Sequence, residues 1–210
     1  MSDAETRSTA LPVSLRRRAA VVIGASAGGV EALIEILPGL PADYPLAVVV
    51  VLHQAEQHAS VLPELFARRA RLAVRQPVDK EPLQPGTLYF APPGYHLLIE
   101  TNRSLSLSCD APVLFSRPSI DVLFESAADA FGRALVGVLL TGANADGAAG
   151  LARIAQQGGL TVVQDPAEAH SPDMPGAAIA LRTPDFVLPL AGIGRLLAGL
   201  TAQFAPPAAP

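Results

Sequence analysis

What the chain lacks narrows its chemistry first. Its single cysteine, Cys109, has no partner for an internal disulfide and no Cys or His at ligand spacing, so a disulfide framework and a cysteine-based metal site are both excluded. A reducing compartment suits such a chain. Tryptophan is absent, aromatic residues make up 5% of the 210, and Lys plus Arg at 15 fall short of Asp plus Glu at 19. Neither a phosphate-tracking basic face nor a set of base-stacking platforms can be built from that inventory, which argues against nucleic acid as a partner. No apolar run approaches the roughly 20 residues of a membrane span. Arg16, Arg17 and Arg18 ahead of "AAVVIGASAGG" imitate a secretory signal, but Glu31 and Glu35 come soon after, and cleavage would remove the first core strand. The expectation is a cytoplasmic globular protein in which 50% hydrophobic residues supply one good-sized core.

Within that core, "AAVVIG", "LAVVVVL", "ALVGVLLT" and "GLTVVQ" are Val- and Leu-rich runs without polar alternation, as expected of strands buried on both faces of a parallel sheet. "GVEALIEIL", "SVLPELFARRA", "SIDVLFESAADAF" and "GAAGLARIAQQG" intervene with helical spacing. The alternation predicts a three-layer α/β fold, a doubly wound, mostly parallel sheet flanked by helices. Residues 84–108, "QPGTLYFAPPGYHLLIETNRSLSLS", read instead as short strands joined by Pro-Gly and Asn turns, and predict an antiparallel hairpin appended to the sheet. Residues 1–17 are polar and aperiodic, and 204–210, "FAPPAAP", cannot hold a helix, so flexible tails are expected on either side of one domain at 18–203.

Ligands of an open parallel sheet collect at the carboxyl ends of its strands, so the residues just past each strand matter most. Ser26 comes after the first in "GASAGG", His53 after "LAVVVVL", and Asp146 after "ALVGVLL" in the loop "TGANADG". The Ser26 loop admits several readings. Gly24 and Gly29 occupy the outer positions of a dinucleotide fingerprint, but Ser26 would obstruct its middle position, and the second strand ends in His53 rather than an acid. A P-loop lacks its Lys-Ser or Lys-Thr. Gly24 to Gly28 do satisfy G-x-S-x-G, the turn that exposes a nucleophilic serine beside a helix N-terminus. The plain reading is that the glycines serve a tight turn and Ser26 caps the helix.

A histidine one βα unit after the serine makes a Ser–His pair geometrically natural, with Asp146 as the acid. His170 competes with His53, since Ser26, Asp146, His170 is the chain order of an α/β-hydrolase. Such an elbow normally comes after several strands, however, and no upstream HGGG-type loop exists here. His58 and His96 are expected on the surface.

With these residues in view the chain resembles the catalytic domain of the CheB-type chemotaxis protein-glutamate methylesterases. The similarity runs from about Ala20 to Leu200 and rests on five motifs in one order. These are "IGASAGGVEAL", His53 after its strand, "SRPSIDVLFESAA" from Ser116, "GVLLTGANADGAAG" around Asp146, and "MPGAAI" from Met174. The resemblance implies a Ser26–His53–Asp146 triad and hydrolysis of glutamate γ-methyl esters on a chemoreceptor's cytoplasmic helical region, with glutamine deamidation as a related activity. It implies backbone N–H groups around Ala27 and Ala143 as the oxyanion site and Arg117 as a substrate-positioning residue, with no metal or organic cofactor.

Three departures accompany the likeness. Ala27 stands where a threonine is common, and Ala143 where a methionine is common. Family members commonly carry an N-terminal receiver domain, whereas about 18 residues precede the first strand. The expectation is either an esterase controlled in trans by a receiver protein or an excised domain. The rival expectation is a catalytically weak regulatory module that docks on a methyltransferase or a receptor.

Overall fold

The computed structural model of the chain describes residues 17–54 and 60–202. The expected tails fall outside the described residues, except for Arg17, which pairs with Thr201. In chain order the elements are β1 (Arg17–Arg18), β2 (Ala20–Ala25), α1 (Gly29–Ile36), β3 (Ala47–Leu52), α2 (Leu62–Ala67), β4 (Ala73–Arg75) and β5 (Thr87–Phe90). After these come β6 (His96–Ile99), β7 (Leu105–Ser108), α3 (Ile120–Phe131), β8 (Leu135–Leu139), α4 (Ala148–Gln156), β9 (Leu160–Gln164), α5 (Asp173–Leu181), β10 (Phe186–Leu188), α6 (Leu190–Ala198) and β11 (Thr201–Ala202).

Among the described residues the main sheet has seven strands in the order β10-β9-β8-β2-β3-β5-β4, every neighbouring pair parallel. Each side chain in β2, β3 and β8 is buried, which is why those runs show no polar alternation. Their alternation is between two apolar layers. Val21, Ile23, Val48 and Val50 point toward α1, α2 and α6. Ala20, Val22, Val49 and Val51 point toward α3, α4, α5 and the β6–β7 hairpin. The three-layer arrangement expected from the sequence is therefore present, helices on both faces of one sheet.

The stretch at residues 84–108 divides differently from the expectation. β6 and β7 do form an antiparallel hairpin, in register His96↔Ser108 to Ile99↔Leu105. Thr87–Phe90 does not join it, because all four residues are buried and they pair in parallel with β3, Val48↔Leu88 to Val50↔Phe90. A four-residue apolar run after a Pro-Gly turn has the same local pattern in a hairpin and in a buried parallel strand, and only burial on both faces separates the two. The hairpin then covers α3, with Leu97, Ile99 and Leu105 packed beside Leu123 and Phe124 in the same core.

From β2 the chain adds β3 on one side and later returns with β8 on the other, so the strand order reverses at β2. A crevice opens at such a reversal, outside the carboxyl ends of the strands. Ser26, His53 and the loop carrying Asp146 all leave the sheet there.

Candidate active site

The Ser26 turn is held from both ends. The Ser26 N–H donates to Thr141 O at 2.9 Å and the Gly29 N–H to Ser26 O at 2.8 Å, turning the chain directly from β2 into α1. Gly28 adopts φ 78°, and a Cβ there would lie 2.4 Å from His170 Cβ, so glycine is required both by the conformation and by the approach of the 170 loop. The Thr141 hydroxyl joins three segments. It donates to Ala27 O at 2.8 Å and accepts from the Ser171 N–H at 2.8 Å, while the Thr141 N–H donates to the buried Gln164 Oε1 at 2.9 Å. The nucleophile turn, the loop after β8 and the segment before α5 are therefore tied together at Thr141.

His53 leaves β3 beside Ser26, its N–H donating to Ala25 O at 3.1 Å. Its Nε2 lies 2.8 Å from Asp146 Oδ2. Asp146 is 0% exposed, and a carboxylate so buried needs its lone pairs filled. Three further donors come from the start of α3. Ser119 Oγ donates to Oδ1 at 2.8 Å, the Asp121 N–H to Oδ1 at 2.9 Å, and the Ile120 N–H to Oδ2 at 2.8 Å. The positive end of the α3 dipole points the same way. Burial alone would raise the Asp146 carboxyl, but the hydrogen bonds from His53, the Asp121 and Ile120 N–H groups and Ser119 outweigh it and hold the group below the ordinary carboxylate range. Neighbouring Asp121 goes the other way. Burial, with the Asp146 charge adding to it, pushes its carboxyl up to about 6 against the opposing bond from the Gly150 N–H.

An ionised Asp146 can only accept, so Nε2 of His53 carries a proton, and in the neutral imidazole the lone pair is on Nδ1. The group facing Nδ1 is Ser116 Oγ, at 3.4 Å. Among the described residues Ser26 Oγ makes no hydrogen bond, a common state for a nucleophile without substrate.

The other expected site residues fall around this pair. Ala27 and Ala143 are both exposed, and neither N–H bonds to any described residue, whereas the Gly142 N–H is taken by Ser171 O at 3.1 Å. Arg117 is half-buried and its Nη1 donates to Cys109 O at 3.1 Å and Asp110 O at 3.2 Å, bracing the segment that leads back to the site. His170 is exposed and packs on Gly28, with no hydrogen bond to Asp146. His58 lies outside the described residues.

His96 corrects the surface expectation: it is 1% exposed. Its Nε2 donates to Ala111 O at 3.1 Å and its Nδ1 accepts from the Ser119 N–H at 3.1 Å, so it fixes the residue that caps α3 and bonds Asp146. A polar residue opening a short strand gives no sequence sign of such a partner. Ser119 stands as an N-cap signal ahead of "IDVLF", but nothing local points to its bond with a carboxylate 27 positions away.

A buried carboxylate holding an imidazole beside a strand-to-helix serine turn is the equipment of a serine hydrolase. Residues 21–197 match the model of the CheB methylesterase family. A Leptospira interrogans relative is 44% identical over 177 residues, which are 84% of this chain and 92% of that one. The protein-glutamate methylesterase/protein-glutamine glutaminase 2 of Anaeromyxobacter dehalogenans is 43% identical over 195 residues, 93% of this chain but 57% of its own length. The crystal structure of the Thermotoga maritima CheB methylesterase catalytic domain superposes with a TM-score of 0.82 at 29% identity, covering 86% of this chain and 97% of that one. The chain belongs to the CheB methylesterase family.

Proposed function

We propose that the chain hydrolyses glutamate γ-methyl esters on a chemoreceptor-like protein in the cytoplasm, and deamidates selected glutamines by the same route. The observation that carries the reading is the His53–Asp146 pair at 2.8 Å, set against the Ser26 turn at the carboxyl ends of adjacent strands. Ser26 Oγ attacks the ester carbonyl as His53 Nδ1 takes its proton, and Asp146 stabilises the imidazolium through Nε2. The uncommitted N–H groups of Ala27 and Ala143 are the available donors for the oxyanion, each worth about 3 kcal/mol in such a role. Collapse returns the proton to the leaving oxygen and frees methanol, leaving Ser26 acylated. Water activated by His53 then releases the glutamate. Arg117 keeps the wall of the groove in place by its bonds to the 109–110 backbone. Among the described residues no helix is long and apolar enough to cross a membrane.

Methanol release from a methylated cytoplasmic fragment of a chemoreceptor tests the activity. Ser26→Ala is expected to lower the rate by roughly 10⁴-fold or more with thermal unfolding unchanged. Full turnover in that variant would end the covalent mechanism.

A further inference from the structure

Between the hairpin and α3 the chain makes a turn whose side chains point the wrong way for stability. Val113 and Ser116 exchange both backbone hydrogen bonds, at 3.1 and 2.9 Å, and close a two-residue turn. Its central residues, Leu114 at φ 46° and Phe115 at φ 64°, are both left-handed. That geometry is the one Asn, Asp and Gly fill, and a bulky side chain in it is strained. Burial does not offset the strain, since Leu114 is 48% and Phe115 103% exposed. Strain of this kind is kept where it serves a site.

The turn is tied to the proposed active site at once on its C-terminal side. Ser116 Oγ faces His53 Nδ1 at 3.4 Å, and Ser119, three residues on, donates to Asp146. Because Ser116 reaches His53, the two exposed apolar side chains just before it border the site that a glutamate side chain must enter. We propose that Leu114 and Phe115 form a docking element that receives an apolar side chain of the substrate protein beside the modified glutamate. This rests on the methylesterase reading and names what that site recognises besides the ester. An aromatic ring suits the task because it offers large apolar area while only two side-chain torsions are immobilised. The short hydrogen-bonded turn holds it in place before the substrate arrives, so little ordering remains to be done on binding.

The test compares two substrates, a methylated chemoreceptor fragment and p-nitrophenyl acetate, which carries no neighbouring side chain to dock. Phe115→Ser is expected to lower the ratio of kcat/KM for the protein to that for the small ester about tenfold, chiefly through KM. The double change Leu114→Asn with Phe115→Gly, which supplies the residues the turn prefers, should lower the ratio similarly while the melting temperature stays at or above that of the parent. An unchanged ratio in both variants overturns the docking role, as does an equal loss on both substrates. A lowered melting temperature in the double variant overturns the strain argument. A parent protein that cleaves p-nitrophenyl acetate yet releases no methanol overturns the methylesterase reading and this proposal together.

Discussion

Two neighbouring carboxylates at one helix N-terminus, Asp146 and Asp121, are driven in opposite directions, the first down by its hydrogen bonds and the second up by burial. Asp146 collects hydrogen bonds from His53, Ser119, Ile120 and Asp121 and is held ionised, so the stability it contributes is present above the ordinary carboxylate range and is lost as pH falls through its lowered value. Asp121 lies beside that charge with bonds from the Gly150 and Gly147 N–H groups that do not offset its burial, and its carboxyl is raised to about 6. Its contribution is fully present below the unfolded value of 3.8 and is lost as pH rises through about 6. Asp121→Asn keeps an acceptor for Gly150 and removes the titration. Relative to the parent, the variant should therefore gain about 1–2 kcal/mol in unfolding free energy between pH 5 and pH 8. Denaturant melts at the two pH values measure this, and a difference that stays constant with pH would refute it.

The element that makes the site is α3, and glycines let it come close. A Cβ on Gly24 in β2 would lie 2.3 Å from Ile120 Cγ2, and one on Gly150 in α4 would lie 2.5 Å from Phe124 Cβ and 3.1 Å from the Asp121 backbone. The close approach brings the Ser119 hydroxyl and the Ile120 and Asp121 N–H groups onto Asp146, and through it orients His53. Gly24→Ala forces Ile120 and the start of α3 outward. Overpacking of this kind costs about 1–3 kcal/mol, and a displacement near 1 Å at a catalytic group costs about 10²-fold in rate. We expect both effects, read as a lowered denaturant midpoint and as slower labelling of Ser26 by a serine-directed phosphonate. Gly39→Ala, where an added Cβ meets nothing within 4 Å, should show neither. Normal labelling in Gly24→Ala would mean that the placement of α3 does not govern the imidazole.

For the whole molecule, local pattern carries the reading as far as neighbours in sequence decide the outcome. The Val-rich runs of β2, β3, β8 and β9 and the helical spacing of α1, α3 and α4 are legible, and so are Ser26, His53 and Asp146 as residues leaving strand ends. The place of Thr87–Phe90 in the main sheet is not, nor are the links of His96, Ser116 and Ser119 to the site. Their partners, β3, His53 and Asp146, are brought to them only by the closed sheet and the docking of α3. The sheet also sets the cooperativity of unfolding, because both hydrophobic layers hang on the same strands, β2, β3 and β5 among them. Tyr44 lies in the layer under α1 and α6, its hydroxyl donating to Leu197 O at 2.9 Å, while Tyr89 lies in the opposite layer and its hydroxyl accepts from the Gln84 N–H at 3.2 Å. Neither layer can lose its packing while β2, β3 and β5 stay in register, so the two should unfold together. Fluorotyrosine NMR in a denaturant series reads both rings in a chain with three tyrosines and no tryptophan. The Tyr44 and Tyr89 signals are expected to be lost at one midpoint. They should remain coincident in Phe66→Ala, which empties the Phe66–Phe90 contact at 5.0 Å on the Tyr44 side alone and costs about 3–5 kcal/mol. An earlier loss of the Tyr44 signal in that variant would show that the sheet does not couple its two faces, and that the catalytic layer can stand while the other melts.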